Sequence, residues 1–180
     1  MSQAAGGGGG DDSAAPRSVP VLLLTGPVGV GKSTIGLQVA RLLREAGVPG
    51  AFVDLAWIGE AWPAPPDDPW NERLTHRNLA ALWANFRDAG ATRLVVCRVL
   101  EARSLLRHLS SSVPDAIITV VRLRAPVERL HERIRARDAE PDWFLQAASY
   151  LAPALEAAHV EDFVVDNDGR PPREVARLPA

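Results

Sequence analysis

The chain has 180 residues, of which 47% are apolar and 23% charged, and its formal net charge is −2. This length corresponds to one domain with a sizeable core. No apolar run approaches the roughly 20 residues that cross a bilayer, and residues 1–20 lack the features of a secretory signal. The near-neutral charge argues against a nucleic-acid binder that relies on a basic surface. We therefore expect a globular cytoplasmic protein with neither a membrane nor a nucleic acid as partner.

Cysteine and lysine each occur only once in the chain. Cys97 is the single cysteine, which excludes an internal disulfide and any multi-cysteine metal site. Of the 20 basic residues, only Lys32 is a lysine. The histidines are scattered and show no metal-ligand spacing: they are His76, His108, His131 and His159.

The start of the chain differs in composition from the rest. Residues 1–18 contain five consecutive glycines, two aspartates and several small residues. Such a segment cannot bury enough apolar surface to offset the entropy lost on ordering, so we predict a disordered glycine-rich tail. The folded domain is then expected over residues 19–180.

From residue 19, short β-rich runs alternate with amphipathic stretches. Strands are predicted at 21–25, 51–54, 94–99, 116–123 and 163–166. Helices are predicted at 33–46, 72–89, 102–109, 126–138, 142–158 and 172–178. The proline-rich residues 56–70 predict a loop with Trp57, Trp62 and Trp70 as aromatic anchors. The alternation predicts an α/β fold, a three-layer sandwich with a five-stranded parallel sheet.

A glycine-rich motif lies between the first predicted strand and helix. Residues 26–34 read GPVGVGKST and match G-x-x-x-x-G-K-[ST]. In such a loop, backbone N–H groups enclose phosphates, Lys32 reaches the β- and γ-phosphates, and the Ser33 hydroxyl joins the Mg²⁺ shell. The alternative is an ordinary glycine turn. The candidate nucleotide-binding residues are Gly26, Pro27, Val28, Gly29, Val30, Gly31, Lys32, Ser33 and Thr34.

With this motif, residues 19–180 resemble the P-loop NTPase superfamily. The N-K-x-D element of its GTPases is absent, because the one lysine is already in the phosphate loop, and so is the L-S-G-G-Q-like signature of transporter ATPases. The size and layout look like the small kinases of the nucleoside-monophosphate-kinase type, such as gluconate, shikimate, adenylylsulfate and antibiotic kinases. The resemblance implies that MgATP phosphorylates a small-molecule acceptor.

Residues 125–137 are similar to the segment that leads these kinases into their lid. In the family, R-x-x-x-R arginines contact ATP and the transferred phosphoryl group; the matching residues here are Arg133 and Arg137, with Arg129 one turn earlier. A spacing of four places all three on one helical face. The alternative is a solvated arginine face. Residues 164–170 are similar to the family's final strand and loop, whose backbone cradles adenine.

The acceptor side offers less specific signals. Asp54 ends the second predicted strand, where the family has a carboxylate that binds substrate or Mg²⁺ through water, or acts as base; the alternative is a helix cap or turn residue. The third strand departs from the family pattern, because it ends in Cys97 and Arg98 instead of an aspartate. The second carboxylate for Mg²⁺ is thus Asp54 or Glu101, and Arg98 is a candidate for binding an anionic acceptor.

The proline-rich loop and the following helix lie where the family places its acceptor-binding insert. Candidate lining residues are Trp57, Trp62, Arg73, His76 and Arg77, with core anchors and surface charges as the alternative. The leading hypothesis is a kinase that acts on a small molecule, with Lys32, Asp54, Arg133 and Arg137 in catalysis. The atypical third strand keeps open an ATP-binding switch or weak ATPase without an acceptor. Cys97 is predicted to be a buried filler.

Overall fold

The computed structural model describes residues 18–177. Its five strands form one parallel sheet in the order β2-β3-β1-β4-β5. They are β1 (Val19–Thr25), β2 (Ala51–Asp54), β3 (Leu94–Cys97), β4 (Ala116–Arg124) and β5 (Phe163–Asp166). The four residues of β3 are all buried, because helices cover both faces of the sheet at its centre. The predicted five-stranded parallel sheet is confirmed.

Helices pack on both faces of this sheet. They are α1 (Lys32–Glu45), α2 (Leu55–Ile58), α3 (Glu72–Asp88), α4 (Leu106–Ser112), α5 (Val127–Arg137), α6 (Asp142–Ala158) and α7 (Pro172–Val175). One core cluster contains Leu79 and Trp83 of α3, and the other contains Ile35 of α1 and Ile134 of α5. The three-layer α/β sandwich is therefore also confirmed. Within residues 18–177, no helix is long and apolar enough to cross a membrane.

The elements differ from the predictions mainly at their ends, and the short helix α2 lies largely within the residues predicted as a loop. The third strand stops at Cys97, and the helix predicted at 102–109 begins as a 3₁₀ turn (Arg103–Leu105) and continues as α4 to Ser112. The helix predicted at 172–178 ends at Val175. Residues 1–17 of the predicted tail, and Leu178 of that helix, lie outside the described residues.

The prediction of aromatic anchors in residues 56–70 is wrong. Trp57, Trp62 and Trp70 are 76%, 89% and 76% exposed. Polar groups hold this segment instead. The buried Asp68 carboxylate accepts hydrogen bonds from the N–H groups of the first two residues of α3, at 2.7 and 3.0 Å. Capping satisfies otherwise free helix N–H groups, so the segment is ordered without burying its indole rings.

Candidate active site

The phosphate loop connects β1 to α1 at the carboxyl edge of the sheet. Gly29 and Gly31 have φ angles of 81° and 96°, a region that glycine adopts without steric cost. A Cβ atom at Gly29 would lie 2.9 Å from Ile134 Cγ1 of α5, so a larger residue would also clash there. No side chain caps the first turn of α1. Its N–H groups and the positive end of the helix dipole are therefore available to an anion.

Lys32 lies folded over this loop. Its Nζ donates hydrogen bonds to the carbonyl oxygens of Gly26, at 2.9 Å, and Pro27, at 3.0 Å. Burial lowers the pKa of the Lys32 ammonium to about 8, with Asp54 acting in the opposite direction and the charge of Arg137 adding to the decrease. The ammonium therefore still carries its proton at neutral pH, next to the anion site.

The structure brings Ser33 and Asp54 together. The Ser33 hydroxyl donates a hydrogen bond to Asp54 Oδ2. The other carboxylate oxygen accepts a hydrogen bond from the N–H of Ala56 at 3.1 Å and caps α2, so the cap interpretation of Asp54 also holds. Glu101 is exposed and forms no side-chain hydrogen bond or ion pair within residues 18–177. Of the two candidate carboxylates, Asp54 is the one that contacts the phosphate-loop serine.

The hydroxyl and carboxylate oxygens of this pair are hard donors, the kind that Mg²⁺ prefers. Across residues 18–177, no group of three or more histidine, cysteine, aspartate or glutamate residues could hold a metal by itself. A magnesium ion that keeps several waters and binds phosphate oxygens needs only one or two protein ligands. The residues present therefore fit Mg²⁺ in the company of a nucleotide.

Two arginines of α5 contact the loop that follows β5. Arg133 donates to the carbonyl oxygen of Val30 at 3.4 Å and to that of Asn167 at 2.7 Å. Arg129 Nε donates to Asp168 Oδ1 at 3.0 Å. Arg133 thus joins α5, the phosphate loop and the loop after β5.

Arg137 has different surroundings. Its guanidinium donates to Asp138 at 2.7 and 2.9 Å and lies 5.9 Å from the centroid of the Phe144 ring in α6. Only residues 138–141 separate α5 from α6, so the segment in which the resemblance implies a lid is short. The three arginines share a helix face, but Arg137 points to the start of α6 and the other two to the loop after β5.

A polar cleft of about 630 Å³ opens between α5 and the loop after β5. Its lining includes Arg129, Arg133 and Ala136 from α5, and Asp168, Gly169 and Arg170 from the loop. This is the loop for which the resemblance implies adenine binding. The cleft adjoins the phosphate loop through Arg133, which reaches Val30.

Sequence reasoning missed Asn167, the first residue after β5. It is 6% exposed, and its Nδ2 donates to the carbonyl oxygen of Val30 at 2.6 Å. Its backbone N–H donates to the carbonyl oxygen of Arg124 at 2.8 Å. The only sequence signal for this role was its place directly after the last strand.

At the end of β3 the structure explains both departures from the family pattern. Cys97 is fully buried, burial raises its pKa to about 12, and its Sγ donates to the carbonyl oxygen of Lys32 at 3.2 Å. The thiol therefore stays protonated and packs as predicted. Arg98 forms an ion pair with Glu72 at the start of α3, so its charge is already balanced.

The remaining candidates for the acceptor side have separate surroundings and do not line a common pocket. His76 is half-buried with its Nδ1 3.1 Å from Ser112 Oγ, and burial, followed by the charge of Arg98, lowers its pKa to about 4. It is therefore neutral at physiological pH. Arg73 forms an exposed ion pair with Asp67 at 2.8 Å, and Arg77 is exposed.

No protein-family model and no curated protein matches this chain. Solved structures do. A gluconokinase from Sinorhizobium meliloti 1021 is 24% identical with a TM-score of 0.56, and the match covers 89% of each chain. The tunicamycin resistance protein of Deinococcus radiodurans is 23% identical with a TM-score of 0.60 over 88% of this chain and 91% of its own.

A third match is the shikimate kinase from Acinetobacter baumannii in complex with shikimate. It is 18% identical with a TM-score of 0.53, over 89% of this chain and 90% of its own. At these identities the likeness shows the fold alone. The chain has the α/β fold of small P-loop kinases, as its phosphate loop indicated.

Proposed function

We propose that this chain is a kinase that transfers the γ-phosphoryl group of MgATP to a hydroxyl group of a small-molecule acceptor. The observation that carries the proposal is the convergence of three groups at the carboxyl edge of the sheet. The glycine-rich loop, the Lys32 ammonium above it and the Ser33–Asp54 pair beside it are the parts that phosphoryl transfer requires. Two of the similar folds belong to proteins named gluconokinase and shikimate kinase, which favours a small acceptor.

In this proposal the loop binds the phosphates of ATP through its backbone N–H groups. Lys32 exchanges the carbonyl oxygens of Gly26 and Pro27 for β- and γ-phosphate oxygens, which accept its hydrogen bonds more strongly because they are charged. The base lies in the cleft beside Arg129 and Asp168. The positive and negative side chains of the cleft largely balance each other. Selectivity for the base would therefore depend on hydrogen bonds from the backbone and from side chains.

Ser33 and Asp54 would hold Mg²⁺, the first directly and the second through water. When bound, the ion neutralises negative charge on the β- and γ-phosphates. Asp54 also stands at the end of β2, where it can orient the acceptor hydroxyl. Its two oxygens are already aligned by Ser33 and by the N–H of Ala56, so little reorganisation is needed.

Arg133 and Arg137 are proposed to stabilise charge on the transferred group. For Arg137 the support is that its positive charge contributes to the lowered pKa of Lys32, so the two cations lie on the same side of the molecule. Arg133 is closer to the loop backbone, through Val30. Charge that develops on the equatorial oxygens during transfer favours positively charged groups positioned in advance.

One observation favours a second candidate, an ATP-binding switch or weak ATPase. No carboxylate ends β3, and the arginine found there pairs with Glu72 of α3. With Asp54 as the one carboxylate in contact with Ser33, an acceptor would be activated less strongly. In this second candidate, water is the only acceptor of the phosphoryl group.

ADP release from MgATP distinguishes the two candidates. The purified chain is assayed alone and with a library of nucleosides, sugars and aminoglycosides, and products are identified by mass spectrometry. A kinase shows acceptor-dependent ADP release and a product heavier by one phosphoryl group. A switch releases ADP at the same slow rate whatever is added. Absence of ADP or ATP binding by calorimetry, with Mg²⁺ present, would overturn both.

A further inference from the structure

The peptide bond between Val30 and Gly31 is held from outside the phosphate loop. The Val30 carbonyl oxygen accepts a hydrogen bond from Asn167 Nδ2 at 2.6 Å and a longer one from Arg133 Nη1 at 3.4 Å. Val30 and Asn167 are both buried, at 0% and 6% exposure. The donor thus comes from a residue 137 positions further along the chain.

The orientation of this carbonyl determines the orientation of the next N–H group. A peptide unit is planar and trans, so its C=O and N–H bonds point in opposite directions. With the Val30 oxygen directed at Asn167, the N–H of Gly31 points away from Asn167. Among residues 18–177, this N–H has no backbone hydrogen-bond partner. It is therefore free to donate to an anion at the start of α1.

We propose that Asn167 is a positioning residue that keeps the Gly31 N–H directed at the phosphate chain. This inference rests on the proposed function, because it assumes that the loop binds phosphates. Asn167 is well placed for the role. Its own N–H is bound to Arg124 on β4, and its carbonyl oxygen accepts from Arg133, so its side chain projects from a fixed backbone.

The close packing also explains the residue type at position 31. A Cβ atom on Gly31 would lie 2.8 Å from Asn167 Nδ2, so glycine is required there for space as well as for its φ of 96°. An alanine at position 167 would leave the buried Val30 oxygen with the 3.4 Å bond alone. The peptide would then be free to rotate and turn its oxygen toward the phosphates, which repels them.

The test compares Asn167→Ala and Asn167→Asp with the unchanged chain. The matched control is Asn85→Ala on the exposed face of α3. Calorimetry measures affinity for inorganic pyrophosphate and for ADP, and NMR follows the Gly31 amide during titration with pyrophosphate. We expect Asn167→Ala to bind pyrophosphate about tenfold more weakly, as the loss of one buried hydrogen bond implies. In Asn167→Ala, pyrophosphate is expected to cause a smaller change in the chemical shift of the Gly31 amide. Asn85→Ala is expected to match the unchanged chain in both measurements.

Asn167→Asp keeps the shape of the side chain, so it covers the case in which Asn167→Ala does not fold. Above the pKa of its new carboxyl group it cannot donate to Val30, and pyrophosphate binding falls. At low pH the protonated carboxyl donates again, so its affinity relative to the unchanged chain recovers. Recovery of the pyrophosphate-induced change at the Gly31 amide, together with the affinity, distinguishes renewed positioning of this N–H from the mere loss of a negative charge beside the anion.

Pyrophosphate affinity and Gly31 shift within twofold of the unchanged chain, in both variants, would overturn the assignment of Asn167. A separate measurement tests the assumption that the loop binds phosphates. If the unchanged chain binds neither pyrophosphate nor ADP, the proposed function itself fails and this inference fails with it.

Discussion

The nucleotide side and the acceptor side of the site are built differently. On the nucleotide side, buried or half-buried donors converge on backbone atoms: Lys32 and, from distant segments, Asn167 and Arg133 all donate to carbonyl oxygens of residues 26–30. On the acceptor side, cations pair with nearby carboxylates, Arg98 with Glu72 and Arg73 with Asp67. Indole rings in the same segment face solvent.

Under the proposed function, the difference follows from what each side would bind. Phosphates are alike in every nucleoside triphosphate, and a cradle of backbone N–H groups needs a buried frame to hold its shape. In the proposal an acceptor would be recognised by side chains of residues 55–77, most of which are exposed. The nucleotide side is thus already shaped for its ligand, whereas the acceptor side is defined by three exposed tryptophans and paired charges.

The largest expected effect comes from Lys32→Ala. It removes the one ammonium of the phosphate loop and should lower nucleotide-dependent turnover by at least about 100-fold, because charge-assisted hydrogen bonds to phosphate are lost. Steady-state ADP release is the measurement. Arg41→Ala, which removes a cation from the exposed face of the same helix, serves as control. Equal activity in the two variants would place phosphate binding elsewhere.

Asp54→Asn should have the next largest effect. Asparagine keeps the shape and can still cap α2, but it removes the charge that favours Mg²⁺, so turnover should fall by about 10- to 100-fold. Glu101→Gln is the matched variant, since it removes the other candidate carboxylate from an exposed site. Turnover at several Mg²⁺ concentrations checks this. A greater loss in the glutamine variant would reverse the assignment.

The pH dependence of ADP binding sharpens the account of Lys32. Burial lowers its pKa to about 8 in the free chain, and bound phosphate favours the charged form. Affinity should therefore be full below pH 8 and decrease above it, by at most about tenfold for each pH unit. Calorimetry between pH 7 and pH 9.5 measures this. In Lys32→Arg, whose side chain stays charged, any remaining affinity should not change over this range.

The smallest effect is expected on the acceptor side. Trp57→Ala should change the free energy of unfolding by no more than about 0.5 kcal/mol, because the ring is exposed, and should leave ADP affinity unaltered. Trp83→Ala, which empties a buried position in α3, should cost about 3–5 kcal/mol. Urea denaturation compares them. If Trp57→Ala also raises the KM for an acceptor found in the library assay, Trp57 lines the acceptor pocket. Similar losses of unfolding free energy in the two tryptophan variants would contradict the contrast between an exposed acceptor side and a buried core.

Much of the fold was predictable because its signals are local. β2, β5 and α6 have the predicted bounds, since alternating apolar runs and helix stop signals depend on near neighbours. The exposure of Trp57, Trp62 and Trp70 was not predictable, because it depends on Asp68 and Asn71 ordering the segment through contacts between residues 61 and 73. Proline and tryptophan content alone does not reveal those caps.

The sequence by itself determined the class of fold and the phosphate loop, because residues 26–34 form that loop from three closely spaced glycines at a strand–helix junction. Only the tertiary structure decided that Asp54, and not Glu101, contacts Ser33, and that Asn167 holds the Val30 carbonyl. These contacts join residues 21 and 137 positions apart. Their geometry follows from strand order and helix packing, which bring the carboxyl ends of separate strands to one edge.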